Sequence, residues 1–152
     1  MTYKKKSWKE KFYSPKEPKI VDNLKGRGKM LVPTPALVDE VIKKIPRGKL
    51  ATDAQIRDYL AKKYGVVLTC PLATGWFFKI IAGKVEEELQ QEVKNVTPYR
   101  RVIKKDGRLL NKKPEWWRLQ EEKLKAEGHE ILPSGGNNPP RVKDFEKKLV
   151  KL

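Results

Sequence analysis

The chain has 152 residues, which is enough for one domain with a modest hydrophobic core. Its 35 Lys and Arg outnumber 19 Asp and Glu, and the formal net charge is +16. This balance is typical of proteins that bind nucleic acid, because cationic side chains displace the counterions condensed on phosphates. A soluble protein with many lysines is the other interpretation. No apolar stretch is long enough to cross a bilayer and no signal segment is recognisable, so we expect a cytoplasmic, nucleoid-associated protein with no membrane partner.

Residues able to carry chemistry are few. Cys70 is the single cysteine and His129 the single histidine. No internal disulfide and no cysteine-rich metal site can form, and the two residues are far apart in sequence. We therefore expect no metal, no cofactor and no catalytic residue. Cys70 is expected to be a small buried thiol and His129 a surface residue at a helix end.

Residues 1–33 are predicted to form a basic N-terminal arm. Ten of the first 30 residues are Lys or Arg and three are acidic. Trp8, Phe12 and Tyr13 are interleaved with these cations, so the arm either docks on the domain or stacks on bases. A solvated, disordered tail is the alternative.

Regular structure is predicted to begin at Thr34, within a domain spanning 34–132. Thr34 caps a first helix, in which apolar residues recur at helical spacing up to Ile45. Residues 52–55 (Thr-Asp-Ala-Gln) form a capping box at the start of a second helix, which Gly65 ends.

A third helix is predicted from Pro71 to Gly83. Its expected buried residues are Ala73, Trp76, Phe77, Ile80 and Ile81. Phe78 and Lys79 lie off this face, and an exposed Phe78 could insert between bases. Together with the preceding helix it suggests a helix-turn-helix unit. The acidic residues 84–95 are expected to point away from DNA, as a solvated helix face. A docking surface for a partner protein is the alternative.

A β-hairpin, or wing, is predicted around Asp106-Gly107, between strands at 99–104 and 108–111. On a strand, Arg100 and Arg101 would point to opposite faces, one of them to a phosphate and the other to an acidic group. A last helix follows at 114–126, and residues 133–152 are expected to be a linker and charged tail. The fold class is therefore mainly α with a small β-hairpin, arranged like a winged helix-turn-helix.

Three segments in this order resemble the DNA-binding domain of the O6-alkylguanine-DNA alkyltransferase family. Residues 45–52 (IPRGKLAT) are similar to the family's IPxGxVxT segment. Residues 98–103 (PYRRVI), followed by Asp106-Gly107, are similar to PCHRVI…G, and residues 120–128 resemble the closing helix with its final Glu-Gly.

The resemblance implies a helix in the DNA minor groove, an arginine wedge, a flipped guanine and alkyl transfer to the cysteine of PCHR. Here the cysteine position is Tyr99 and the histidine position is Arg100, which stays protonated and cannot act as a base. The wedge arginine position is Gly75, and the tyrosine that helps to turn the phosphate is replaced by Asp53. The sequence therefore predicts that the protein is not an enzyme.

The alkyltransferase-like branch of the family lacks the acceptor cysteine, binds alkylated DNA and passes it to excision repair. The resemblance implies a monomer of this kind, with double-stranded DNA and a repair protein as partners. A winged-helix regulator or architectural protein that binds DNA or structured RNA without lesion specificity is the alternative. An enzyme that uses another residue is the third hypothesis. The expected DNA contacts are Arg47, Lys49, Thr52, Gly75, Phe78, Lys79, Arg100, Arg101 and Lys104, with Tyr99 at the degenerate acceptor position.

Overall fold

The computed structural model describes residues 7–15, 17–23, 26 and 28–152, and within them helices dominate over small sheets. The helices are α1 (Trp8–Tyr13), α2 (Pro35–Ile42), α3 (Asp53–Tyr64), α4 (Pro71–Gln90) and α5 (Pro114–Ala126). The strands are β1 (Lys19–Asp22), β2 (Lys29–Val32), β3 (Ala51–Thr52), β4 (Leu68–Thr69), β5 (Val102–Ile103), β6 (Ile131–Leu132) and β7 (Arg141–Val142). Two 3₁₀ turns cover Tyr99–Arg101 and Phe145–Lys148. This arrangement agrees with the expected mainly-α class.

The predicted starts of α2 and α3 are confirmed in atomic detail. The Thr34 hydroxyl accepts a hydrogen bond from the Leu37 N–H at 3.2 Å. The Thr52 hydroxyl accepts one from the Gln55 N–H at 3.1 Å, and the Gln55 side chain accepts one from the Thr52 N–H at 2.8 Å. Gly65 ends α3 with a positive φ of 66°, a conformation that glycine adopts without steric cost.

The prediction that α4 ends at Gly83 is wrong, because the helix runs for 20 residues to Gln90. Gly83 instead allows a close approach between two helices. A Cβ atom at this position would lie 2.3 Å from the indole ring of Trp8 in α1. The glycine therefore serves packing rather than helix termination.

The exposed and buried sides of α4 also differ from expectation. Trp76, expected in the core, is 48% exposed, whereas Phe78, expected on the surface, is 4% exposed. The helix packs against α1, α2 and the 3₁₀ turn at residues 99–101. Because it is covered from several directions, its buried arc is wide and is rotated towards Phe78 and Val85.

Regular structure precedes Thr34, contrary to the prediction. Helix α1 packs on α4 and buries Phe12, while Trp8 meets Trp116 edge to face with the ring centroids 6.0 Å apart. Strands β1 and β2 pair antiparallel, and β2 pairs in parallel with β4. The expectation that the arm docks on the domain is therefore confirmed for residues 8–13, while residues 1–6 lie outside the described part.

Residues 141–150, expected to belong to a charged tail, contribute to the core. The Leu50 N–H donates to the Lys148 carbonyl at 2.9 Å, and the Val150 N–H donates to the Leu50 carbonyl at 2.8 Å. Strand β7 pairs with β6 and buries Val142. A second hydrophobic cluster results, formed by Leu50, Ile103, Leu109, Leu124 and Val142.

The turn at Asp106-Gly107 is present, but its flanking strands are shorter than predicted. The Lys104 N–H donates to the Arg108 carbonyl at 2.8 Å, and Gly107 has a positive φ of 88°. Strand β5 pairs in parallel with β3 instead of extending a long hairpin. Residues 99–101 form a 3₁₀ turn, so the strand expected to place Arg100 and Arg101 on opposite faces is absent.

Candidate nucleic-acid interface

The outward side of the first half of α4, which we call the α4 face, consists of Leu72, Gly75, Trp76 and Lys79. These positions recur every three or four residues, so they lie along one side of the helix. Leu72 is 86% exposed, Trp76 is half exposed and Lys79 is exposed. Beyond its own chain neighbours and helix backbone, no atom lies within 4 Å of the position that a Cβ at Gly75 would take. Leu72 and Trp76 lie one helical turn apart and form an apolar strip beside a cation, which makes the α4 face a candidate binding surface.

Helix α1 places a further cation beside this face. The Lys11 Nζ lies 5.6 Å from the centre of the Trp76 ring and 4.5 Å from that of Trp8. Both distances fall within the range of cation–π attraction. The positive charge of the α4 face is therefore not confined to Lys79.

The loop before α3 keeps two expected contact residues on the surface. Arg47 and Lys49 are exposed, and an Arg47 guanidinium nitrogen lies 3.3 Å from the Ala126 carbonyl oxygen. Thr52 is buried, and its hydroxyl is used in the capping box. This threonine can therefore orient α3 but offers no surface contact of its own.

Lys104 is partly engaged within the protein. Its Nζ lies 3.7 Å from a carboxylate oxygen of Asp53, which also accepts a hydrogen bond from Arg57 at 3.2 Å. The Asp53 side chain is 10% exposed. The two cations balance the carboxylate, so its negative charge is shielded from a neighbouring phosphate.

Arg100 and Arg101 both bind Glu127, and neither points freely to solvent. The Arg100 Nε donates to one carboxylate oxygen of Glu127, and the Arg101 Nε donates to the other at 2.9 Å. Arg101 also donates to the Ile45 carbonyl at 2.7 Å. We expected one arginine to pair with an acidic group and the other to be available for a phosphate. In the structure both pair with the same carboxylate. Both segments are recognisable in the sequence, but the ion pairs that join Arg100 and Arg101 to Glu127 are not.

The Glu127 carboxylate is held in its charged form. Burial alone would raise the pKa of Glu127, but hydrogen bonds from Arg101, Arg100 and the Gly48 N–H outweigh it and lower the pKa to about 2. The Glu127 side chain is 3% exposed. The site is therefore a closed electrostatic cluster that fixes the turn at 99–101 against the end of α5.

Tyr99, at the degenerate acceptor position, fills part of the main core. It is 3% exposed, and its hydroxyl donates to a Glu86 carboxylate oxygen at 2.6 Å. The Lys123 Nζ lies 2.7 Å from the same oxygen. Burial, reinforced by Glu86, raises the pKa of Tyr99, so the phenol stays neutral. Glu86 is thus held inside the protein, between the Tyr99 hydroxyl and the Lys123 ammonium group, and is not part of a solvated helix face.

Cys70 and His129, the single cysteine and the single histidine, lie in different local environments. Cys70 is partly buried just before α4, where its carbonyl accepts a hydrogen bond from the Thr74 hydroxyl at 2.6 Å. His129, expected on the surface, is 7% exposed, and its backbone N–H donates to the Leu124 carbonyl at 3.1 Å where the chain leaves α5. Burial lowers the pKa of His129 and favours the neutral imidazole.

Two further properties concern the described residues only. No group of three or more His, Cys, Asp or Glu side chains there is arranged to hold a metal ion. Among the same residues, no helix combines the length and the apolar character that a bilayer span requires.

Comparison with known proteins identifies the fold. A crystal structure of S. pombe Atl1 in complex with damaged DNA containing O6-carboxymethylguanine matches with a TM-score of 0.51 and 18% sequence identity, over 78% of this chain and 94% of that chain. A structure of S. pombe ATL in complex with DNA matches over the same shares with 19% identity and a TM-score of 0.48. No protein-family model and no curated protein matches the sequence. The chain therefore shares the α-rich fold of Atl1, with different residues at most positions.

Proposed function

We propose that this protein binds duplex DNA through the α4 face and catalyses no reaction. The observation that carries the proposal is the exposure of Leu72 and Trp76 beside Lys79 on one side of a helix. Apolar side chains of this kind insert between base steps in minor-groove binders, while lysines neutralise phosphates. The net charge of +16 and the fold shared with Atl1, which was crystallised on damaged DNA, support it.

Leu72 is the residue that we assign to the wedge. Gly75 supplies no side chain for this role, and Phe78 is buried. Leu72 lies in the first turn of α4 and is the most exposed of the large apolar side chains described, at 86%. Trp76, one turn further along, flanks it and is backed by Lys11.

The turn at Asp106-Gly107 is proposed to act as the wing of the interface. Between residues 97 and 113 the chain has seven Lys and Arg and one acidic residue. Lys105 and Arg108 are exposed at the turn itself. Their side chains would follow the phosphate backbone, which fixes orientation without reading sequence.

Two versions of the proposal differ in the base that is read. The damaged DNA in the Atl1 structure favours a reader of alkylated guanine that hands DNA to a repair protein. The packing of Tyr99 favours binding without lesion specificity, because its ring fills the core at the position where the resemblance places the lesion pocket. We take the second version as the stronger, with the protein acting as a monomer in the cytoplasm on nucleoid DNA.

Fluorescence anisotropy with a labelled duplex tests the α4 face. Because Leu72 is exposed, Leu72→Ala leaves the core intact, and we expect about tenfold weaker binding, equivalent to about 1.4 kcal/mol. Val67→Ala is the matched control, since Val67 is 60% exposed but precedes α4. Wild-type affinity in both Leu72→Ala and Lys79→Ala would contradict the proposal.

Two duplexes, one plain and one with a single O6-methylguanine, separate the two versions at two salt concentrations. Equal, strongly salt-dependent affinities are expected for phosphate-led binding. Tighter binding to the methylated duplex would establish the lesion-reading version instead.

Intact-mass spectrometry tests the absence of catalysis. After incubation with the methylated duplex, we expect the mass of the protein to be unchanged, because position 99 holds a neutral phenol rather than a thiolate. A mass increase of one methyl group would show that the protein is an alkyl acceptor.

A further inference from the structure

A cavity of about 720 Å³ lies between the turn at 104–108 and residues 137–139. None of its lining residues belongs to the α4 face, and Tyr99 is not among them. Its volume is in the range of small-molecule sites, roughly 300–1,000 Å³. The cavity exists because the segment before β7 folds back beside the turn.

The rim of the cavity is cationic. Lys104, Lys105, Arg108 and Lys112 line it, against the single carboxylate of Asp106. Asp106 lies 3.6 Å from Arg108, and Lys104 is engaged by a carboxylate outside the cavity. Lys105 and Lys112 have no ion-pair partner among the described residues. Two lysines are therefore available to an anionic ligand.

The floor of the cavity is apolar and its far side carries amides. Leu109 is 1% exposed, and Leu110 and Pro139 are partly buried beside it. Asn137 and Asn138 present exposed amide side chains, which can both donate and accept hydrogen bonds.

The cationic rim, the apolar floor and the amide side suit, in turn, the phosphate, the face and the polar edge of one nucleotide. We infer that the cavity binds a nucleotide unit, with the base on Leu110 and Pro139, its polar edge towards the asparagines and its phosphate at Lys105 and Lys112. A simple anion would occupy the rim alone and make no contact with Leu110 and Pro139. The unit is either a free mononucleotide or an unpaired nucleotide of a strand, and the inference does not depend on duplex binding by α4.

Three probes test the chemistry of the ligand. Adenosine monophosphate is titrated by calorimetry, and a fluorescent tetrathymidylate and an abasic strand with the same number of phosphates are titrated by anisotropy. We expect the abasic strand to bind about tenfold more weakly than the tetrathymidylate, because the apolar contact of the base with Leu110 and Pro139 is lost. Binding of the mononucleotide identifies a free-nucleotide site, and binding of the strand alone identifies a single-strand path. Equal affinity for abasic and base-bearing strands would overturn the inference.

Paired lysine variants test the location. The double variant Lys105→Ala/Lys112→Ala should weaken binding of the tetrathymidylate about tenfold and flatten its salt dependence. Lys62→Ala/Lys63→Ala removes the same charge from exposed positions of α3 and should change affinity by less than about twofold. Equal losses in both double variants would mean that net charge, not this cavity, holds the strand.

Two single variants complete the design. Asn138→Asp places a carboxylate at the exposed amide edge and should weaken binding through repulsion of the phosphate. Leu72→Ala should leave nucleotide binding unchanged even where it weakens duplex binding. A failure of the cavity is thereby distinguishable from a failure of the α4 face.

Discussion

At the scale of single residues, Glu127 connects three parts of the molecule. Its carboxylate accepts hydrogen bonds from Arg100, Arg101 and the Gly48 N–H, the last at 3.2 Å. Arg101 continues the network to the Ile45 carbonyl. One side chain thus links the loop before α3, the 3₁₀ turn at 99–101 and the end of α5.

Removing this carboxylate should be costly. We expect Glu127→Ala to lower the free energy of unfolding by about 3 kcal/mol, because two partly buried guanidinium groups lose their counter-charge. Urea denaturation measures the change. Glu130→Ala is the control, since Glu130 pairs with Lys143 at the surface and its loss should cost less than about 1 kcal/mol. Equal effects in the two variants would refute the central position of Glu127.

The same residue predicts acid sensitivity. The pKa of Glu127 is about 2 in the folded protein against an ordinary value of 4.5, so its ionised form stabilises the fold above pH 4.5. As the pH falls from 4.5 towards 2, we expect this contribution, about 3 kcal/mol, to disappear. Thermal unfolding of wild type and Glu127→Gln across this range measures it. The difference between the two proteins should shrink at low pH, and a constant difference would contradict the assignment.

At the scale of elements, features set by neighbouring residues were predictable from the sequence, and features set by long-range packing were not. The starts of α2 and α3 were predictable because the Thr34 and Thr52 caps lie within three residues of the groups they bind. The length of α4 was not, because Gly83 is a stop signal in sequence and a contact with Trp8 in space. The burial of Phe78 and the exposure of Trp76, the reverse of the prediction, also result from long-range packing. Helical periodicity locates one buried face, whereas α4 is covered by several elements.

In the candidate site, too, local features were predictable from the sequence and long-range contacts were not. The cations Arg47, Lys49 and Lys79 were predicted on the surface and lie there. Leu72 was missed, although its position one residue after the helix-opening Pro71 could have indicated an exposed first turn. The partnership of Arg100 and Arg101 with Glu127 spans 26 to 27 positions, and no local pattern encodes it.

Two glycines of α4 give opposite predictions for the same substitution. Gly83→Ala should destabilise the protein, because the added methyl group meets the Trp8 ring and displaces α1. Gly75→Ala should stabilise it by up to about 1 kcal/mol, since the methyl group enters open space and alanine favours the helix. Urea denaturation together with tryptophan fluorescence measures both effects. Stabilisation by both variants would show that Trp8 does not pack on Gly83 in solution.

At the scale of the whole molecule, two hydrophobic clusters are closed by segments distant in sequence. The main cluster includes Phe12 from α1 and Leu31 from β2. The second includes Val142 from β7, with Phe145 and Leu149 packed against it. These flanking segments were predicted to be an arm and a tail because of their charge and glycine content. Pairing between distant strands leaves little local signal in the sequence, so it was not predicted.

Two truncations test whether the segment 141–152 belongs to the fold. Deletion of residues 141–152 should abolish cooperative thermal unfolding, since Leu50, Leu109 and Leu124 lose their cover. Deletion of residues 151–152, which are exposed, should leave the melting temperature unchanged. Circular dichroism measures both. Cooperative unfolding of the longer deletion at the wild-type temperature would show that the segment is dispensable.

The backbone pairing of Leu50 also affects the order of folding during synthesis. Its N–H and carbonyl bond with Lys148 and Val150, which are translated roughly 100 positions later. At about 5–20 residues per second, that delay lasts roughly 5–20 seconds. The residues of α3 and α4 are therefore translated well before the second hydrophobic cluster can close. We expect folding to finish only after residues 148–150 have left the ribosome.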